Sequence, residues 1–194
     1  VAATVERVVT APLDTTGTLS LRQIPCTRRL IELEFYYPLA ALTCVGLQRL
    51  LKAHGIAVMS LRDNMEPLVF APVRGYMKGF IDLVFEADGR YYLADYKSNW
   101  LGSTVDAYRP EALRPVMARE TYYLQYLIYT LAVHRYLRLR LPGYDYETHF
   151  GGVFYLFVRG MDPACPTYGL FHDRPSRHLV EDLDRYLATG SVRS

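Results

Sequence analysis

An α/β domain built on a central mixed β-sheet flanked by helices is predicted by three features of the sequence. Strand-like and helix-like periods alternate along the chain. Two strand patterns are joined by a two-residue turn, and a later continuous apolar run reads as a strand buried on both faces. With 194 residues the chain is long enough for one compact domain with its own core.

Residues 1–29 read as an irregular N-terminal arm, because Thr, Pro, Gly and Leu mix without a period as far as Cys26. Residues 30–194 read as the folded domain. Leu30 to Tyr37 alternates apolar and charged residues as a half-buried strand, with Glu32 and Glu34 on one face. Leu42, Val45, Leu47, Leu50 and Leu51 follow at helical spacing and stop at Gly55. Arg62 to Pro72 is a turn-rich connector. Met77 to Phe85 is a strand, Asp88-Gly89 a tight turn, and Arg90 to Lys97 the returning strand. Ser98 to Pro110 is polar and breaks the pattern. From Arg114 to Arg140 one long helix is predicted, its stripe formed by Leu124, Leu127, Ile128 and Leu131 and its end by Pro142-Gly143. Phe150 to Val158 is the buried strand, and Pro175 to Leu187 a closing helix with an acidic exposed face.

Composition excludes several classes. Hydrophobic residues make up 51% and charged residues 22%, which is globular rather than disordered. Charge or proline interrupts every apolar run, so no transmembrane span fits. Val1 to Thr10 carries Glu6 and Arg7 and lacks the apolar block of a signal peptide. A net charge of +2 confines any nucleic-acid contact to a local surface. Cys26, Cys44 and Cys165 form no CxxC pair, which speaks against a zinc ribbon or a disulfide framework and for a reducing cytoplasm. The 17 tyrosines exceed what a core of this size needs and hint at a surface covered by other subunits.

The Asp88-Gly89 turn fixes register, because both central residues take φ > 0 and Ala87 then faces Arg90. Counting back along both strands sets Asp82 opposite Asp95, with Lys97 on the same face two residues on. Ile81, Leu83 and Phe85 against Tyr92, Ala94 and Tyr96 form the opposite, core-packing face. Two carboxylates ~4 Å apart repel by on the order of 4 kcal/mol at an effective dielectric near 20. A shared proton, a neighbouring cation such as Lys97, or a hard divalent cation relieves this, and oxygen-only ligands suit Mg²⁺ or Mn²⁺ better than zinc. Solvated or arginine-paired carboxylates are the plain alternative, and a glycosidase pair at ~5 Å is another. The added lysine favours phosphodiester hydrolysis, in which a cation polarises phosphate and an ammonium stabilises developing charge.

Asp82 followed by Asp95-Tyr96-Lys97 is the D…(D/E)xK pattern of the restriction-endonuclease-like nuclease superfamily. The flanking text is more specific. Lys78 to Phe85, Tyr91 to Gly102 and His149-Phe150-Gly151-Gly152 resemble the C-terminal nuclease domain of the RecB family, PD-(D/E)XK nucleases of RecBCD helicase-nucleases, from about Val8 to Leu187. Gln125 to Tyr129 matches the family's QxxxY motif, and i, i+4 spacing puts both residues on one helical face.

The resemblance implies that Asp82, Asp95 and the Tyr96 carbonyl hold the metal, that Lys97 is the catalytic lysine, and that Gln125 and Tyr129 help hold metal, water or DNA. It implies Mg²⁺ as cofactor, with Mn²⁺ or Ca²⁺ as substitutes in binding. It also implies exodeoxyribonuclease V-type cutting of mainly single-stranded DNA in double-strand-break repair and recombination, with RecC, RecD and RecA as partners. The family's further ligand, a histidine in an upstream GxxxH segment, has no counterpart. His54 follows the first strand and His134 falls on the later helix, so the chain is read as beginning downstream of it. The competing expectation is an incomplete fragment acting as a protein-interaction module.

Other residues keep two readings each. Glu34 either reaches a metal or is the exposed half of its strand. His134, Arg135, Arg138 and Arg140 either meet phosphates or complement a helix dipole. Trp100 either stacks on a base or packs its loop. Gly151-Gly152 permits close backbone approach. His149, His172 and His178 share no ligand spacing.

Overall fold

A computed structural model describes residues 2–14, 16–56 and 71–191, so most of the connector expected from Arg62 to Pro72 lies outside the described residues. Five strands form one mixed sheet in the order β1-β2-β3-β4-β5, flanked by helices. They are β1 Arg29–Leu42, β2 Val73–Ala87, β3 Arg90–Lys97, β4 Phe150–Phe157 and β5 Leu170–Asp173. β2 pairs with β3 antiparallel, β3 with β4 parallel, and β4 with β5 antiparallel. The helices are α1 Ala2–Thr10, α2 Cys44–Ala53, α3 Pro110–Arg119, α4 Tyr122–Arg140, α5 Tyr146–His149 and α6 Arg177–Thr189. The chain divides into two compact units. The first is Val1–Leu33, Ile81–Met117 and Gly143–Arg174; the second is Glu34–Phe80, Ala118–Pro142 and Pro175–Ser194.

In the first unit the tight turn forms as expected. Asp88 and Gly89 take φ of 50° and 74°, and Ala87 pairs with Arg90. The core is aromatic: Phe85, Tyr92 and Phe154 stack with centroids 5.3 to 6.2 Å apart. Glycine at 151 lets Tyr92 lie against the strand, since a Cβ there would come within 2.2 Å of its ring. The irregular-arm reading of residues 1–29 is corrected. Ala2–Thr10 is helical, and Val8, Leu13, Leu21 and Ile24 enter the core formed by Leu83, Phe85 and Phe154. Scattered apolar residues in short turns bury themselves here without any period to announce it. Tyr96 is a second correction, being exposed at 42% rather than packed with Ala94.

In the second unit β1 alternates as predicted from Glu34 on, with Phe35, Tyr37 and Leu39 buried and Tyr36 exposed. The expected alternation from Leu30 is corrected, since Leu30 and Ile31 are exposed at 41% and 73% and Glu32 takes φ 52°. Thr43 caps α2 by accepting from the Gly46 N–H, and Gly55 follows it with φ 70°. The single helix expected from Arg114 to Arg140 is two helices, α3 and α4. They are separated at Glu120 and Thr121, where Thr121 takes φ 56° and ends the helical run. The acidic face of α6 is paired. Asp184 accepts from Arg135 at 2.6 Å and from Arg138 at 3.0 Å, and Asp182 pairs with His54 at 3.0 Å. Tyrosine serves the interior as well as the surface: Tyr37 and Tyr186 are buried here, while exposed Tyr36 and Tyr76 stack at 4.6 Å.

Two predictions follow from this packing. Leu21→Ala, at a position only 3% exposed, is expected to cost about 2–5 kcal/mol in urea unfolding; a loose arm would show no change. Burial pushes His134 and His172 below their ordinary value of 6.5, with the Arg138 charge adding to the effect on His134. Each binds its proton less readily in the folded chain than in the unfolded one. Their stabilising contribution is therefore full above pH 6.5 and declines as pH falls below it. Urea midpoints should drop between pH 7 and 5, with a shallower drop in His134→Gln; an unchanged slope in that variant would refute the assignment.

Candidate active site

Local strand chemistry brings Asp82, Asp95, Tyr96 and Lys97 together in the first unit. The β2–β3 ladder runs from Ala87 and Arg90 to Leu83 and Ala94. Asp82 is the next residue of β2, and its carboxylate accepts the Tyr96 backbone N–H at 2.9 Å. A side chain thus takes a donor of β3 where the ladder ends, which ties the Asp82 carboxylate to the Asp95-Tyr96-Lys97 segment.

Asp95 is 3% exposed. Its Oδ1 is ion-paired with the Lys97 ammonium. Burial holds its carboxyl above the ordinary carboxylate range. Lys97 opposes that shift through hydrogen bonding and charge, and the Asp82 charge reinforces it. On the neighbouring strand, residues 155 and 157 stand in register with 95 and 97. The Lys97 ammonium lies 5.0 Å from the centroid of the buried Tyr155 ring, a cation–π contact that steadies the lysine. Tyr155 did not stand out from sequence, because it sits in a uniformly apolar run and its partner is set by a parallel pairing between distant segments.

In the second unit, Gln125 and Tyr129 lie one turn apart on α4, where the Gln125 Nε2 donates to the Tyr129 hydroxyl at 3.0 Å. The Tyr129 ring meets Phe35 edge-on, with centroids 5.8 Å apart. Glu34 is solvent-exposed and paired with Lys78 at 2.6 Å, as the exposed half of its strand. Arg135 and Arg138 are held by Asp184, Arg135 lies 4.4 Å from the Tyr37 ring centroid, and His134 is buried. Three members of that basic cluster therefore have intramolecular roles.

The donor set fits a hard divalent cation. It is all oxygen, and one of its carboxylates is buried with a raised proton affinity that a cation would offset. Among the described residues no group of three or more His, Cys, Asp or Glu side chains converges. Backbone carbonyl, water and substrate phosphate would complete the shell, which is the way Mg²⁺ is ordinarily held. No helix among the described residues is long and apolar enough to cross a membrane.

The mixed five-stranded sheet, with paired acids and a lysine at its central hairpin, defines a restriction-endonuclease-like domain. No protein-family model matches the chain. It is 47% identical over 93% of its length to the RecBCD enzyme subunit RecB of Escherichia coli (strain K12). It is 56% identical over 61% to the subunit of Haemophilus influenzae, and 38% identical over 87% to that of Mycolicibacterium smegmatis. The chain belongs to the RecB family. It spans only 15%, 10% and 18% of the length of these three relatives.

The buried pair gives a direct prediction. Removing Lys97 alone strands a buried carboxylate, so Lys97→Met should cost on the order of 3–5 kcal/mol in unfolding free energy, most of it regained when Asp95→Asn is added. Additive losses in the double-mutant cycle would show that the pair is not coupled.

Proposed function

We propose that this chain is a divalent-metal-dependent deoxyribonuclease domain of a RecB-type helicase-nuclease. The observation that carries the reading is the buried Asp95, paired with Lys97 and flanked by Asp82. Asp82 and Asp95 would hold Mg²⁺ together with the Tyr96 carbonyl. When bound, the cation supplies Lewis acidity toward a phosphodiester and lowers the pKa of coordinated water.

The protein's own groups do the rest. The Tyr96 N–H orients the Asp82 carboxylate. The ammonium of Lys97, held beside Asp95, would orient water and offset charge developing on the phosphate oxygens. The Tyr155 ring limits how far that ammonium can move. Gln125 and Tyr129, joined to each other, are proposed to help hold metal, water or DNA.

Family membership supports single-stranded DNA as the main substrate, RecC and RecD as neighbouring subunits, RecA as a recombinase partner, and a role in double-strand-break repair and recombination. Because the chain contains no nucleotide-binding GxxxxGK[ST] loop, a motor elsewhere would deliver the DNA. A second reading, a docking module that cuts nothing, rests on the missing counterpart of the family's GxxxH histidine in this sequence.

Circular single-stranded DNA with Mg²⁺ separates the two. A nuclease should cut it, with Asp95→Ala and Lys97→Ala each lowering the rate on the order of 10²-fold or more while circular dichroism shows both still folded. Cutting that is absent in the folded parent, or undiminished in Asp95→Ala, would overturn the assignment.

A further inference from the structure

The chain leaving the catalytic strand is pinned, and its one tryptophan is not. The Tyr108 hydroxyl donates to the Asn99 carbonyl at 3.1 Å and accepts the Leu101 N–H at 3.1 Å, clamping the backbone on either side of Trp100. Tyr108 itself is buried against Gly160, where a Cβ would come within 2.2 Å of it. Tyr108 does the packing, and Trp100 projects into solvent at 70% exposure. A large indole held out on a fixed loop needs a reason other than loop packing.

Trp100 lines a cleft of about 320 Å³ together with Ser103, Thr104, Arg7, Arg159 and Asp162. Arg7 and Arg159 also line an adjoining depression of about 450 Å³ that includes Ser98, the residue directly after Lys97. The two arginines therefore belong to both hollows, which adjoin the C-terminal end of the DxK strand. Arg159 is aimed by its Nε, which donates to the Ser98 carbonyl at 2.8 Å. Arg7 comes from α1, and its one ion pair among the described residues is a long contact of 3.9 Å to Asp162, whose Oδ1 also accepts the Ala164 N–H at 2.9 Å. Two guanidinium groups face one carboxylate across the groove, beside hydroxyl donors and an exposed aromatic face. Backbone phosphates and an unstacked base call for these groups together. An acidic peptide would use the arginines but not the indole face.

We infer that this groove is a nucleotide subsite for single-stranded DNA next to the proposed catalytic centre, with Trp100 stacking on one base and Arg7 and Arg159 holding the phosphates beside it. The inference rests on the nuclease reading for the identity of its strand, but is tested without cleavage.

Because Trp100 is the single tryptophan of the chain, its fluorescence reports on the groove directly. In EDTA, a dT₁₂ oligonucleotide should quench it, while an abasic 12-mer and an oligoglutamate should not. By anisotropy of labelled dT₁₂, Trp100→Ala should bind at least about fivefold more weakly. Arg7→Gln and Arg159→Gln should each lower the salt slope of log K by about 0.7, with Arg159→Lys keeping most of the binding. Asp162→Asn should tighten binding. Equal quenching by the abasic strand or by oligoglutamate, or no quenching at all, would overturn the subsite. Cleavage without quenching removes the subsite and leaves the nuclease; quenching without cleavage does the reverse.

Discussion

The register imposed by Asp88-Gly89 is the constraint on which the site depends. Two positive φ angles close a two-residue turn, and from Ala87 and Arg90 outward every side chain of β2 and β3 is assigned a face. A one-residue slip would invert those faces. The turn is local and involves no distant partner, so it assigns faces to Asp82 and Asp95, six residues away on either side, and to Lys97, eight residues away.

What the turn brings together is electrostatically expensive, and the structure shows which groups offset the cost. The Coulomb repulsion between Asp82 and Asp95 is blunted by two different devices: a backbone N–H for Asp82 and an ammonium for Asp95. Neither device is sufficient to return Asp95 to the ordinary range, since its burial dominates. The burden of burial falls on Asp95 rather than on Asp82.

How much was legible from sequence follows from how local each feature is. The hairpin and the capped helix α2 are decided by neighbours within a few residues, and period or turn chemistry reveals them. The break at Thr121 was hidden because the apolar stripe of α4 continues in phase with the helical residues before it; only a backbone angle marks the end of α3. The strand β5 has four residues, too few for a period to show. The helix α1 is short, and its burial depends on a core assembled from β2, β3 and β4. Of the site, the acids and the lysine were legible and the Tyr155 ring beneath the lysine was not, because a parallel pair has no turn to fix its register.

The same distinction explains why a basic surface of this protein escapes a count of charge along the chain. The sequence concentrates positive residues at His134, Arg135, Arg138 and Arg140, yet Asp184 holds two of these arginines in the fold. Arg7 and Arg159 are isolated in sequence, one on a helix that shows no period and one in a turn after β4. They nonetheless line the same groove beside Trp100. Charge density along a helix measures how much its neighbours must neutralise. Charge left facing a groove depends on which acids the fold brings near, and here that is Asp162 alone among the acids lining the cleft. A protein with a net charge of only +2 can in this way keep a cationic groove beside the β2–β3 hairpin without a basic run anywhere near it in sequence.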